Sequence, residues 1–222
     1  MSEPDPGAPL LEQKLMFFGR ISASLSHELK NVLATINEFS GLLDDLSQAA
    51  ASGRALKPER LQSVCGKIAN QIGRGEELIR RMNRFSHSVD EPVASVDLRE
   101  VLALVCDLCN RFAKLRQATL ERRFPDAPQV LTLDTFALEY AVALAIDLAL
   151  QGASEQRRVT VALLEPASRG RCQIAVESAD PLGPELAQAT EHALLAGVMA
   201  HLGGTLDVAP ERIVLGLGGL DA

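Results

Sequence analysis

The chain has 222 residues, 47% of them hydrophobic and 23% charged, with a formal net charge of −7 and a pI near 5.2. That acidity, with no basic stripe carrying interleaved aromatics, excludes nucleic acid as the main partner, and no apolar run approaches the roughly 18 residues a membrane span needs. Residues 1–9 are acidic and Pro-rich and have the character of neither a signal nor a transit peptide, so a cytoplasmic protein with no membrane partner and reduced cysteines is expected.

In chain order, residues 1–10 read as a disordered N-terminus and residues 11–89 as a helical hairpin. Leu11, Leu15, Phe18, Ser22, Leu25, Leu29, Val32, Ile36, Phe39, Leu43 and Leu46 follow one another at alternating steps of 4 and 3, the a/d spacing of a helical seam. With Leu25 at d, His27 takes an f position and Asn31 a c position, so both face water, one turn apart on the same side. A lone exposed histidine is ordinarily a solvated surface residue, and position alone says no more than that. Residues 47–58 read as a break, because the heptad lapses, Gly53 suits a cap and Pro58 suits a helix start. A second seam follows through Leu61, Cys65, Ile68, Ile72, Gly75, Ile79 and Met82, widened by Val64, Leu78 and Phe85. In an antiparallel hairpin, helix-two residues between Asn70 and Met82 lie level with His27, and Arg74, Glu77, Arg80, Arg81 and Arg84 cluster there. As plain solvated charges they need no explanation; the alternative is contact with an acidic partner. Two such narrow stripes bury little as one pair, so a homodimeric four-helix bundle is expected.

Residues 90–95 read as a linker and residues 96–222 as an α/β sandwich of mixed order. The predicted elements are a helix through Leu115, strands at 118–124 and 129–133, a helix from Asp134 to about Gln151, strands at 158–165 and 171–178, a helix at 184–201 and a closing hairpin at 205–217. Cys106 and Cys109 form a lone CxxC inside the first of these helices, where packing is the better reading than zinc or redox chemistry.

The string Ser26-His27-Glu28-Leu29-Lys30-Asn31, followed by residues 32–36, resembles the phosphoacceptor box of two-component histidine kinases. The element order after residue 96, with Val96-Asp97-Leu98-Arg99-Glu100-Val101-Leu102 and His201-Leu202-Gly203-Gly204-Thr205-Leu206, is similar to their GHKL ATP-binding domain. The resemblance implies that His27 accepts phosphate, that Glu28 holds the other ring N–H, and that Asn31 orients a water that dephosphorylates a partner. With a response regulator receiver domain as that acidic partner, Lys30, Arg74 and Arg81 are the candidate contacts. None of His87, His192 and His201 has a Glu28-like neighbour on an exposed face opposite a helical seam.

The family's nucleotide chemistry does not carry over. Leu144 and Leu148 stand where paired asparagines hold magnesium and phosphate, and apolar side chains do not ligate a hard cation. A register shifted by three offers Asp147 and Gln151 instead, Asp180-Pro181-Leu182-Gly183 is a weak match to the adenine-reading box, and Gly216-Leu217-Gly218-Gly219 has no helix behind it to cradle phosphate. The expected protein is therefore a histidine phosphotransferase passing phosphoryl groups between receiver aspartates through His27, with no cofactor of its own and Mg2+ on the receiver. The alternatives are a sensor histidine kinase core with a divergent ATP site, and a non-catalytic dimer that sequesters response regulators.

Overall fold

The computed structural model describes residues 9–91, 93–151, 158–168, 171–183 and 190–218. Two long helices, α1 (Leu10–Ala51) and α2 (Pro58–His87), precede an α/β domain with a mixed sheet, the architecture expected from the sequence. The chain divides into two compact units: Arg20–Arg84, and the residues before them together with those from Phe85 onward. This division falls inside both helices, whereas the sequence suggested a boundary at the 90–95 linker.

Within Arg20–Arg84 the helices run antiparallel, with the Lys67 ammonium 5.4 Å from the centre of the Phe39 ring. Helix α1 continues through residues 47–51, which the sequence assigned to the break. Ala and Gln are good helix formers and propagate a helix already nucleated over many turns. The chain turns at Gly53, whose φ of 87° suits glycine, and Pro58 opens α2 as expected. The buried positions are Ile21, Ser24, Leu25 and Val32 on α1, with Val64, Gly75 and Leu78 on α2. At Gly75 a Cβ would stand 3.4 Å from Val32 Cγ1 and 3.8 Å from Leu29 Cδ1, so the small residue lets α2 approach α1 one turn beyond His27. The second seam is thus offset from the predicted one. Val64, Gly75 and Leu78 face α1, while Cys65, Ile72 and Ile79 are exposed, the last two at 49% and 43%.

In the other unit, β1 (Ala94–Asp97) pairs antiparallel with β3 (Val130–Leu133). Ala94 and Ser95, read from the sequence as linker, are the first half of this strand. A five-stranded sheet has the order β2-β4-β5-β7-β6, built from β2 (Thr119–Arg123), β4 (Arg158–Ser168), β5 (Arg171–Ser178), β6 (Thr205–Ala209) and β7 (Arg212–Gly218). The β2–β4 pair is parallel and the remaining pairs antiparallel. Helices α3 (Leu98–Leu115), α4 (Thr135–Leu150) and α5 (Thr190–His201) form the second layer; the first six residues of the predicted helix at 184–201 lie outside the described residues. Asp97 and Asp134 cap α3 and α4, accepting from the backbone N–H of Arg99 and Ala137 at 3.0 and 2.8 Å. Gly204 sits where a Cβ would come within 2.6 Å of the Gly216 carbonyl, so the α5–β6 turn presses directly on β7.

The start of α1 and the end of α2 are packed into this unit. Phe85 meets Phe17 edge-on with centroids 5.6 Å apart and stacks on Phe18 at 5.3 Å, while Phe136 and Tyr140 of α4 lie 5.7 and 5.0 Å from Phe17. The Lys14 ammonium reaches Asp134 Oδ2 at 2.6 Å, and the Ser88 hydroxyl donates to the buried carboxylate of Glu139 at 2.8 Å. The four cysteines are free; Cys106 and Cys109 are buried on α3, and burial pushes the Cys106 thiol up to about 12, as inert packing requires.

Candidate active site

His27 stands exposed on α1, midway along the helix, with Asn31 exposed one turn further on. The Asn31 amide lies 3.4 Å from His27 Nδ1, a long hydrogen bond, and it is the ring's hydrogen-bond partner among the described residues. The Thr35 hydroxyl donates to the Asn31 carbonyl at 3.0 Å and continues this face of the helix. Glu28, half-buried, is turned toward α2, where its Oε2 is 3.8 Å from Arg74 Nη2. Adjacent residues on a helix point about 100° apart, so the carboxylate and the imidazole leave α1 in different directions. The structure thus joins His27 to Asn31 and Glu28 to Arg74, two pairs that the sequence set at the same level without connecting.

Around this point α2 carries further charge. Arg80 donates through Nε and Nη2 to Glu77 Oε2 at 3.0 and 2.8 Å, and Arg81 Nε donates to Glu77 Oε1 at 3.1 Å. The Arg80 hydrogen bond first, and the Arg81 charge after it, hold the Glu77 carboxyl below the usual carboxylate range against its desolvation. Arg81 is therefore committed to Glu77. Arg74 extends its guanidinium into solvent, with 58% of the side chain exposed. Lys30 is exposed and has no hydrogen-bond or ion-pair partner among the described residues.

Two other histidines carry an acidic partner that the sequence left unseen. His87 Nδ1 is 2.6 Å from Asp90 Oδ2, and His201 Nε2 is 3.1 Å from Asp134 Oδ2. The first contact is an i,i+3 pair at the helix end and was readable from spacing alone; the second joins residues 67 positions apart and had no local signal.

Helix α4 is buried along its whole length, with Leu144 and Leu148 at 2% and 1% exposure inside the core. Asp147, the carboxylate offered by the shifted register, accepts from Arg116 Nη1 at 3.0 Å and is buried. Gly216 and Gly218 lie in strand β7, paired with Gln173 and Arg171 of β5, so their backbone groups serve the sheet and form no phosphate loop. Among the described residues no group of three or more His, Cys, Asp or Glu side chains is arranged to hold a metal ion, and no helix is long and apolar enough to cross a membrane.

No protein-family model and no curated protein sequence matches the chain. Among solved structures the chain is similar to the Acinetobacter baumannii histidine kinase AdeS, with 14% identity over 88% of this chain and 98% of that one and a TM-score of 0.49. It is also similar to the mycobacterial sensor histidine kinase MprB, with 20% identity over 58% of this chain and 99% of that one and a TM-score of 0.46. A third is histidine kinase ThkA in complex with response regulator protein TrrA, with 14% identity over 94% of this chain and 64% of that one and a TM-score of 0.48.

Proposed function

We propose that the chain is a histidine phosphotransferase of a two-component phosphorelay, moving phosphoryl groups between the aspartates of receiver domains through His27 without using ATP. The observation that carries the reading is an open imidazole on a helical hairpin, in a chain whose α4 buries leucines at the positions that would have to ligate magnesium. A neutral imidazole keeps a nitrogen lone pair near pH 7 and is a competent nucleophile. Transfer between two aspartates needs little beyond positioning, with the acidic pocket and its magnesium ion on the receiver. Lys30 and Arg74 stand beside His27 as exposed cations that complement such a pocket; Arg81 contributes through the Glu77 cluster. Glu28, paired with Arg74, sets the charge next to the imidazole. The exposed Ile72 and Ile79 on α2, with Leu33 on α1, support a homodimer through the hairpin.

The test is to incubate the purified protein with a receiver carrying labelled aspartyl phosphate and a second, unlabelled receiver. Label is expected to pass to His27 and on to the second receiver, and to be lost from the protein in acid but not in base. His27→Ala is expected to stop passage in both directions. Labelled Mg-ATP is expected to leave the chain unlabelled; label on His27 from ATP would establish a kinase core instead, and binding of receivers with no transfer would leave only sequestration.

A further inference from the structure

The start of α1 and the segment after α2 leave an open cavity of about 400 Å³ against the beginning of α4. Its apolar walls are Leu11, Leu15 and Phe18 of α1, Val89, and Phe136 of α4. Leu11, Leu15 and Val89 remain 70%, 63% and 46% exposed. A contiguous apolar surface left open in this way marks a binding site, as scattered exposed leucines do not, and the volume falls within the roughly 300–1,000 Å³ of small-molecule sites. At about 30 Å³ per displaced water, it suits a ligand of on the order of a dozen non-hydrogen atoms.

Three polar side chains, Lys14, Ser88 and Asp134, also line the cavity, and what each has left to offer defines the ligand. Asp134 is fully engaged. Its Oδ1 accepts from the Ala137 N–H at 2.8 Å, while Oδ2 accepts from Lys14 at 2.6 Å and faces His201 Nε2 at 3.1 Å. The Ser88 proton is shared between the Phe85 carbonyl and the Glu139 carboxylate, at 2.7 and 2.8 Å. Lys14 is different. An ammonium has three N–H donors; one meets Asp134, the Phe136 ring centre lies 5.9 Å away, and the other two N–H groups have no acceptor among the described residues. The charge of Asp134 is spread over His201 and the positive end of the α4 dipole as well as Lys14, which leaves the ammonium able to hold a second anion. We infer that this cavity binds a small apolar carboxylate, of the class of medium-chain fatty acids, with its head on the Lys14 ammonium and its body against Leu15, Val89 and Phe136. None of these residues belongs to the His27 site, and the inference stands apart from the phosphotransferase reading.

The test titrates the intact protein with decanoate below its micellar concentration, with decanamide as the neutral probe of the same shape. Calorimetry is expected to find a single decanoate per chain, bound at least about tenfold more tightly than decanamide, the difference a hydrogen-bonded charge makes. In 13C-methyl NMR spectra the signals of Leu11, Leu15 and Val89 are expected to shift, while those of Ile72 and Ile79, exposed apolar residues of α2, stay in place. Lys14→Met is expected to bring decanoate down to the affinity of decanamide, and Lys14→Arg to restore most of the difference. Val89→Asp, at a half-exposed position where the change costs the fold little, is expected to weaken both probes. No binding of decanoate at millimolar concentration, equal affinity for the two probes, shifts centred on Ile72 and Ile79, or a Lys14→Met variant that binds decanoate as the wild type does, would overturn the inference. So would light scattering in which Leu15→Glu alone turns a wild-type dimer into a monomer, because a second copy and not a small ligand would then cover the cavity.

Discussion

His27 projects into solvent from the middle of a long helix, and its hydrogen-bond partner among the described residues is the amide one turn away, so its side chain has little to do with holding the fold. His27→Ala is accordingly expected to change unfolding free energy by no more than about 0.5 kcal/mol, as measured by denaturant titration, while stopping the proposed phosphate passage. The cap aspartates are the opposite case. Asp134 is pushed up by burial, but hydrogen bonds from Lys14, the Ala137 N–H and His201 outweigh this and leave its carboxyl below the usual range. Asp97 is held down first by its hydrogen bond from Arg99. A carboxyl whose folded pKa lies below its unfolded value stabilises fully above the unfolded value and loses that contribution as pH falls through the folded one. The thermal midpoint of the α/β unit is therefore expected to be flat above about pH 5 and to fall below about pH 4, near the ordinary aspartate value. Asp134→Ala, which removes cap and ion pair together, is expected to cost about 1–2 kcal/mol and to flatten the acid limb of that profile. An unchanged acid limb would take Asp134 out of the linkage.

At the scale of elements, period and cap chemistry made most of the fold legible before any coordinates. The 3.5-residue repeat gave α1 and α2, Pro58 and Gly53 marked the turn, and alternation gave the strands from β2 to β7. Three features stayed hidden, each because its cause is not local. Strand β1 is four residues long and exists through its pairing with β3, which polar Ser95 does not announce. The offset of the second seam follows from the close approach at Gly75, a property of two helices and not of one repeat. The aromatic cluster draws Phe17 and Phe18 from one end of the chain, Phe85 from α2 and Phe136 and Tyr140 from α4. The heptad reading used only Phe18 and Phe85 of these, on the stripes of two different helices. Phe85 is fully buried and central to the cluster, so Phe85→Ala is expected to destabilise the α/β unit by about 3–5 kcal/mol. Calorimetry would check this, and a loss below about 1 kcal/mol would mean that the cluster adds little to the packing.

For the whole molecule, the candidate site was legible as residue types in order: an exposed His27, an acid beside it, Asn31 one turn on and basic residues level with them across the hairpin. Which side chain meets which was not legible, because that depends on how α2 lies against α1. The same geometry sharpens the expectation of a homodimer. Leu25 and Val32 are buried within one chain, against a face that includes Val64 and Leu78; a charge placed at Leu25 would destabilise the hairpin itself by several kcal/mol, and loss of the dimer would then say nothing specific. Ile72 and Ile79 are different. They sit two turns apart on one face of α2, roughly half exposed in the single chain, so a glutamate at either leaves the hairpin core intact and costs the isolated chain little. In a four-helix bundle those positions face the second copy, and each charge would have to be buried or the interface opened. The double variant Ile72→Glu, Ile79→Glu is therefore expected to be a folded monomer with unchanged helix content, while the wild type scatters light as a dimer. A wild-type monomer, or a double variant that remains dimeric, would sink the four-helix arrangement. A double variant that is monomeric but still takes phosphate from phosphoramidate on His27 would show that the acceptor site is complete within one hairpin.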